Sequence, residues 1–383
     1  MVIGHLSAYD DKAANGVVKV VYDLTREQVK QGHIVYVYGF KEGIFEVDTI
    51  HRPEGVILKY FPRGSKKNGF LSTMFLRYLR ENPDKLDYFH FHSVYMRMNV
   101  VAAEYCSMPY IVTPHGGYAL INRNRSFFTK IKKAIYEIVS ERNYLRNALM
   151  IQTLSDFEKR ELLSIFPELE NQTYTIPNGT PDVLYQAEIS NSKTLRIGFI
   201  GRVAVYHKGL DLFMNGMSEY VRHGGKRIQV KIVGPGNYED IEQLEKLIQT
   251  NNLENYVKII GPLFGKEKEN FLMKETDLFI HTSRWEGLPL SVLEALSYGI
   301  PVLVTKETNM AGYVNQYDAG WVLENNSAEC INATLEEILN EKGYRQKGIN
   351  AKRLANQVFS WGEVTKTLSK QVLMCLNQVN GTE

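Results

Sequence analysis

The chain of 383 residues is 44% hydrophobic and 23% charged, with a net charge of +2. Such a composition is that of an ordinary globular protein long enough for two domains, and so balanced a charge argues against a dedicated nucleic-acid binder. The three cysteines, Cys106, Cys330 and Cys375, stand far apart with no CxxC, which points to small core residues in a reducing compartment and not to a disulfide framework.

The start, MVIGHLSAYDD, has neither a basic nor an apolar leader segment, and no window approaches about eighteen uninterrupted apolar residues. A cytoplasmic protein without a transmembrane helix is therefore expected. In chain order, a helical pattern over Val17–Gln31 is followed by strand patterns at Ile34–Tyr38, Tyr88–His92, Tyr110–Thr113 and Leu149–Thr153. A polar stretch, Pro181–Lys193, lacks apolar periodicity and reads as a linker. Beyond it come strand patterns at Leu195–Ile200, Gln229–Val233, Val257–Ile260, Leu278–His281 and Pro301–Val304, again separated by helical segments. Ser360-Trp361 opens a last amphipathic helix with Val364, Leu368, Val372 and Leu376 on one stripe. Strands alternating with helices predict an α/β protein built on doubly wound parallel sheets, one in each half.

Charge is unevenly spread. Val56–Arg80 holds six basic residues and no acid, and Ile121–Tyr136 holds five (Arg123, Arg125, Lys130, Lys132 and Lys133), again with no acid. In the second run Phe127, Ile131, Ile135, Ile138 and Leu145 fit a helical stripe, with Lys130, Lys132, Lys133 and Glu137 off it. Such a stripe either faces the core or rests on an anionic membrane, which makes Arg123–Lys133 a candidate membrane contact.

Ligands of parallel α/β sheets bind at the carboxyl edge of the strands. Three stretches place chemistry there. After Leu195–Ile200 come Gly201-Arg202 and, six residues on, Lys208-Gly209, two cations suited to phosphate oxygens. After Tyr110–Thr113 comes His115, followed by two glycines in TPHGGY; His92 in FHFHS reads as structural. After Leu278–His281 comes RWEGLPLSVLEALSYGIPVL, in which Glu286 and Glu294 interrupt an apolar stretch. Pro289 suits a first helical position, leaving the amides of Gly287, Leu288, Leu290 and Ser291 free as an anion site. Carboxylates repel phosphate, so Glu286 and Glu294 suit hydroxyls: sugar hydroxyls for Glu286 and a ribose diol for Glu294. Their plainer roles would be to complement the helix dipole and to face solvent. There is no GxxxxGK[ST], no GxGxxG (Gly234-Pro235-Gly236 stops short of it), no DxD and no metal-spaced Cys/His set.

These motifs carry a family likeness. EGLPLSVLEA at Glu286–Ala295 followed by GIPV, GR(five residues)KG at Gly201–Gly209, IPNGT at Ile176–Thr180 and TPHG at Thr113–Gly116 stand in the order found in family 4 glycosyltransferases, which the chain resembles over essentially its whole length. The resemblance implies the GT-B fold, two Rossmann-like doubly wound domains facing a central cleft. Residues 1–186, with a crossover helix at 362–383, would bind the acceptor, and 187–361 the nucleotide sugar. It implies catalytic roles for His115, Arg202, Lys208 and Glu286. Arg202 and Lys208 would hold the donor's diphosphate and Glu294 its ribose. Glu286 and the amides from Gly287 through Leu288 and Pro289 to Leu290 would position sugar and phosphate. His115 would contact the donor sugar, and Gly16 would let the N-terminal loop close over the diphosphate. Gly261-Pro262-Leu263 would lie near the base, with Gly234 in the same nucleotide-sugar site. Asn15-Gly16 departs from the paired glycines of many members.

The implied reaction is retaining transfer of a hexose-type sugar, without metal or cofactor, from a nucleotide diphosphate sugar to a glycan or lipid-linked oligosaccharide in surface polysaccharide or exopolysaccharide synthesis. Uridine is the base that family habit favours. A nucleotide-sugar epimerase and a nucleotide-sugar-binding scaffold without activity remain the alternatives. The inner face of the plasma membrane is the surface on which such a protein would rest.

Overall fold

The computed structural model describes residues 1–9, 15–119, 127–180, 183, 186–187, 194–225, 227–340 and 344–381. The chain forms two compact units, Met1–Gly179 with Trp361–Glu383, and Thr180–Ser360. The divisions fall earlier than the 186/187 and 361/362 anticipated. Thr180 already pairs with the second unit, its N–H donating to the Phe359 carbonyl at 2.5 Å. Most of the polar stretch Pro181–Lys193 lies outside the described residues.

In the first unit the strands are β1 (Val2–Leu6), β2 (Ile34–Lys41), β3 (Asp48–His51), β4 (Ile57–Pro62), β5 (Tyr88–His92), β6 (Tyr110–Thr113), β7 (Met150–Thr153) and β8 (Thr173–Thr175). They form one sheet in the order β3-β4-β2-β1-β5-β6-β7-β8, parallel except for the β3–β4 pair. β5, β6 and β7 are buried along their whole length, as strands covered by helices on both faces must be. The helix Gly16–Lys30 buries Val20, Val21 and Leu24, the one-and-four spacing that the sequence displays. Helix Trp361–Asn380 returns to this unit with Val364, Leu368, Val372 and Cys375 buried. Gln31 donates to the Gly362 carbonyl at 3.0 Å, which ties that return helix to the end of the first.

The basic run Val56–Arg80 is partly neutralised by acids outside it. Lys59 pairs with Asp84, Arg63 with Glu42 and Arg77 with Glu81. Asp84 also accepts from the Tyr38 and Tyr78 hydroxyls at 2.7 and 2.8 Å.

In the second unit β9 (Leu195–Ile200), β10 (Ile228–Val233), β11 (Val257–Gly261), β12 (Leu278–His281), β13 (Val302–Val304) and β14 (Gly320–Val322) form an all-parallel sheet in the order β11-β10-β9-β12-β13-β14. That order reverses between β9 and β12, the switch point at which ligands of such sheets bind. The helix Leu210–Arg222 drives Leu210, Phe213, Met214 and Met217 into this unit's core. Among the described residues no helix is long and apolar enough to cross a membrane.

The basic amphipathic segment is turned differently from the stripe that the sequence suggests. The helix Phe127–Tyr136 runs into a π-helical turn, Glu137–Glu141, and then a helix Arg142–Arg146. A π turn adds a residue and rotates every later side chain around the axis. Leu145, beyond the turn, is thereby buried, while before and within it Phe128 is 84% and Ile138 68% exposed, with Ile131, Ile135 and Val139 exposed beside them. Glu137, anticipated on the polar outer face, is buried and accepts from the Tyr95 hydroxyl at 2.5 Å. Glu141 is buried too, and accepts from Tyr95 N–H at 2.8 Å and from the Tyr118 hydroxyl at 2.5 Å. Arg123, Arg125 and the side chain of Phe127 lie outside the described residues.

Burial pushes the Glu141 carboxyl up to about 7, against the pull of its two hydrogen bonds. The folded chain therefore keeps this proton to a higher pH than the unfolded one, and stability is lost as pH rises from about 4.5 to 7. A glutamine can satisfy both tyrosine groups without ionising. Glu141→Gln should stabilise the protein by about 2–3 kcal/mol at pH 8 and by little at pH 4. Calorimetric unfolding at the two pH values measures this, and a gain equal at both would contradict it.

Candidate active site

The second unit's site is built at the carboxyl ends of β9 and β12. Gly201 follows β9, and its carbonyl lies so close to Gly234, at the end of β10, that a side chain on Gly234 would meet it at 1.8 Å. Gly234 has φ +144°, and its N–H donates to the Gly261 carbonyl at 2.9 Å. The three glycines thus bring the ends of β9, β10 and β11 together. Pro262 and Leu263 continue from β11, the sheet's edge strand.

Glu286 is the electrostatic centre of the unit. Its Oε1 receives Lys208 Nζ at 2.5 Å, His281 Nε2 at 2.9 Å and the Ser283 hydroxyl at 2.7 Å. Burial alone would raise its carboxyl, but the His281 hydrogen bond and the Lys208 ammonium outweigh it and hold the group well below the usual range. Oε2 carries no hydrogen bond among the described residues. Asn309 Nδ2 fixes the backbone here, donating to the carbonyls of Glu286 and Gly287 at 2.6 and 2.9 Å. The His207 ring stacks on Trp285 at 4.2 Å. Arg284 forks onto both oxygens of Asp211 at 2.8 Å and lies over Tyr206 at 4.2 Å. These contacts clamp the Arg202–Lys208 loop against the Ser283–Leu288 turn.

The anticipated cation pair is therefore divided in function. Arg202 is exposed and has no ion pair or hydrogen bond among the described residues, whereas Lys208 neutralises Glu286. The helix after Glu286 is Leu290–Ser297, with Pro289 as its cap and not its first residue. Among the described residues the amides of Gly287, Leu288, Leu290 and Ser291 donate no hydrogen bond; the Leu288 side chain is itself buried, so only its backbone is available. Glu294 sits on that helix with Oε2 2.5 Å from Lys268 Nζ, an ion pair the sequence did not suggest.

In the first unit Asn15 caps the helix Gly16–Lys30, its Oδ1 accepting from Val17 N–H at 2.9 Å. Gly16 is that helix's first residue; the loop before it, 10–14, lies outside the described residues. His115 stands past the end of β6 with φ +53°, a left-handed conformation that costs energy for a side-chain-bearing residue. Its Nε2 lies 3.1 Å from His92 Nδ1, and His92 Nε2 lies 3.0 Å from His5 Nδ1. His90 stacks on His92 at 4.0 Å. Burial pushes His5 and His115 down to about 4 and His90 and His92 down as well, so all four rings are neutral at pH 7.

Sequence reading missed His281, Ser283, Lys268 and Asn309, and with them the joining of His92 to His115. The available signal was positional. His92 and His281 both end a buried strand at the edge where ligands bind, as the FHFHS and FIHTS stretches show. Lys268 and Asn309 carried no signal, because only the fold brings them to Glu294 and Glu286.

The description "Glycosyltransferase Family 4" matches residues 14–182, and "Glycosyl transferases group 1" matches residues 184–355. The chain belongs to the family 4 glycosyltransferases. An uncharacterized glycosyltransferase of Methanocaldococcus jannaschii is 26% identical over 301 residues, 74% of each chain. A UDP-Gal:alpha-D-GlcNAc-diphosphoundecaprenol alpha-1,3-galactosyltransferase of Escherichia coli is 34% identical over 136 residues, 33% of this chain and 34% of that one. Among solved structures, Anabaena HepE in complex with UDP and glucose superposes with a TM-score of 0.73 at 15% identity, over 98% of this chain and 100% of that one. The two parallel-sheet α/β units are those of the family's GT-B fold.

Because this glycosyltransferase uses its two cations differently, their removal should differ. Lys208→Met leaves the Glu286 charge without its cation and should cost about 3 kcal/mol of stability. Arg202→Met should change it by less than about 0.5 kcal/mol. Chemical denaturation of both variants measures the contrast, and equal losses would refute it.

Proposed function

We propose that this protein transfers a hexose-type sugar, with retention at the anomeric carbon, from a uridine diphosphate sugar to a glycan or lipid-linked oligosaccharide in surface polysaccharide biosynthesis. The observation that carries the reading is an exposed Arg202, unpaired among the described residues, on the same loop as the Lys208–Glu286 pair, in a unit whose helix Leu290–Ser297 begins with amides that donate to none of those residues. Those groups suit a diphosphate, with no metal required in this reading. Glu286 Oε2 and Glu294 Oε1, neither hydrogen-bonded among the described residues, suit the hydroxyls of the sugar and ribose. The uridine preference is supported by the names of the galactosyltransferase relative and of the UDP-bound HepE structure.

In the reaction the acceptor oxygen approaches the anomeric carbon on the face from which the diphosphate departs. The carbon–phosphate-oxygen bond breaks with its electron pair. The leaving phosphate, held by Arg202 and Lys208, takes the acceptor's proton. No second carboxylate acts as a covalent nucleophile in this scheme, and His115 assists by hydrogen bonding.

Titration calorimetry of UDP, GDP and ADP, in EDTA, tests the donor. UDP should bind, and Glu294→Ala should weaken it by roughly tenfold, the size of a hydrogen-bonded contact. Turnover with UDP-hexoses should release a product of unchanged anomeric configuration by NMR. Preference for another nucleotide would reject uridine, an inverted anomer the mechanism, and absence of turnover with intact binding would favour the scaffold.

The exposed apolar face of Phe128, Ile131, Ile135 and Ile138, with Lys130 and Lys132 also exposed, suits an anionic membrane surface as the site of a lipid-linked acceptor. Flotation with phosphatidylglycerol vesicles should fall at least several-fold in Phe128→Ser/Ile135→Ser and in Lys130→Glu/Lys132→Glu. Flotation unaffected by both changes would remove the membrane from the scheme.

A further inference from the structure

Four histidines of the first unit, His5, His90, His92 and His115, lie against one another, and the proposed reaction uses only His115. His5 ends a contact path from Gln28, a fully buried residue of the helix Gly16–Lys30. Gln28 Oε1 lies 2.9 Å from His5 Nε2, and Gln28 Nε2 faces the Tyr88 hydroxyl at 3.5 Å. With the amide turned this way its oxygen faces the ring and accepts, so His5 Nε2 carries the proton. The neutral ring then has a bare Nδ1, which accepts from His92 Nε2–H at 3.0 Å. His92 Nδ1 is bare in turn and accepts from His115 Nε2–H at 3.1 Å. Every proton along the row is set by the one before it.

His90, which stacks against this row, is set separately. Gln152 Nε2 donates to the Ile176 carbonyl at 2.9 Å, so its Oε1 must accept, and it does so from the Thr113 hydroxyl at 3.0 Å. Thr113 Oγ1 then accepts from His90 Nε2–H at 2.7 Å. A backbone carbonyl thus fixes the His90 tautomer, and its Nδ1 is buried without a partner among the described residues. His5, His90 and His92 have ring nitrogens within 4.8 Å of one another. A shared cation would need their lone pairs to converge, but His5 Nδ1 and His92 Nε2 are already engaged with each other.

We infer that Gln28, His5 and His92 are positioning residues that hold His115 as the Nε2–H tautomer, so that its Nδ1 is presented as a hydrogen-bond acceptor for a hydroxyl of the sugar substrate. The inference rests on the glycosyltransferase reading for the ligand, but the tautomer row is a property of the free protein. His115 Nδ1 has no hydrogen bond among the described residues and is not among the buried atoms left without one. The left-handed backbone at His115 is consistent with a ring whose orientation is held from behind. An acceptor nitrogen recognises a hydroxyl and repels a phosphate or carboxylate oxygen, which restricts His115 to the uncharged part of the donor or to an acceptor sugar. The same ring with its proton on Nδ1 would bind the opposite partners. The row therefore decides what His115 recognises.

The test uses the full chain labelled with ¹⁵N-histidine, with tautomers read from two-bond ¹H–¹⁵N correlations at pH 7.5, without substrate. All four rings should show the Nε2–H pattern. Gln28→Met fills the same volume but removes the acceptor; it should convert His5 and His115 to mixed or Nδ1–H tautomers and lower the rate of donor turnover by about tenfold, with the donor KM changed less than twofold. Gln28→Glu, whose carboxylate draws a proton onto His5 and turns its Nδ1 into a donor, should reverse the row and give Nδ1–H at His92 and His115. A wild-type His115 protonated on Nδ1, or a Gln28→Met protein with the wild-type pattern, would overturn the inference. If the pattern and its response to Gln28 are as stated but no nucleotide sugar is turned over, the glycosyltransferase reading fails and the positioning row stands.

Discussion

Parallel strands can be joined only by crossovers, and a crossover returns the chain to the far end of the sheet before each new strand begins. Every strand-to-helix loop of a parallel sheet therefore leaves from one edge. That constraint decides where chemistry collects in each unit of this glycosyltransferase. In the second it gathers Gly201, Gly234 and Gly261 from the ends of three neighbouring strands, and sets Lys208 and Glu286 within 2.5 Å although 77 residues separate them in the chain. In the first it brings His92, the last residue of β5, within 3.1 Å of His115, which follows the adjacent β6.

Charge is managed by opposite means in the two units. The second stabilises an ionised carboxylate. Glu286 is held charged by Lys208 and by hydrogen bonds from His281 and Ser283, all to one oxygen, so that the other oxygen stays available while the group keeps its charge. The first avoids charge. Its clustered histidines, His5, His90, His92 and His115, are kept neutral by burial, and neutral rings, unlike imidazolium, can alternate donor and acceptor along a row. A single proton too many would break that alternation, so desolvation here serves direction and not only stability.

The π turn at Glu137–Glu141 shows a local irregularity deciding a surface. One added residue takes two glutamates inward, where Tyr95 and Tyr118 satisfy them, and separates the buried Leu145 beyond it from the outward Phe128, Ile135 and Ile138. A regular 3.6-residue projection through the same sequence puts Ile131, Ile135, Ile138 and Leu145 on one stripe. It errs because a π turn leaves no mark in hydrophobic periodicity; only the cost of burying Glu137 and Glu141, and the tyrosines that meet it, select that turn.

The sequence by itself determined the fold class, since buried apolar runs alternating with amphipathic helices admit little besides parallel sheets. It also marked the local motifs whose meaning is carried in consecutive residues: the glycine-rich loop around His115, the Arg202–Lys208 loop and the Glu286–Glu294 turn and helix. Strands β1, β3, β4, β8 and β14 escaped it, whereas β6, β12 and β13, no longer than four residues, were marked by their apolar runs. What only the tertiary structure decided is pairing. Lys208 with Glu286, Lys268 with Glu294, Asn309 with the Glu286 backbone, and Gln28 through His5 and His92 to His115 are contacts between residues far apart in the chain. A side chain's type states which bonds it can make; the partner it meets, and so its charge and proton position, depends on which strand ends the sheet order brings together.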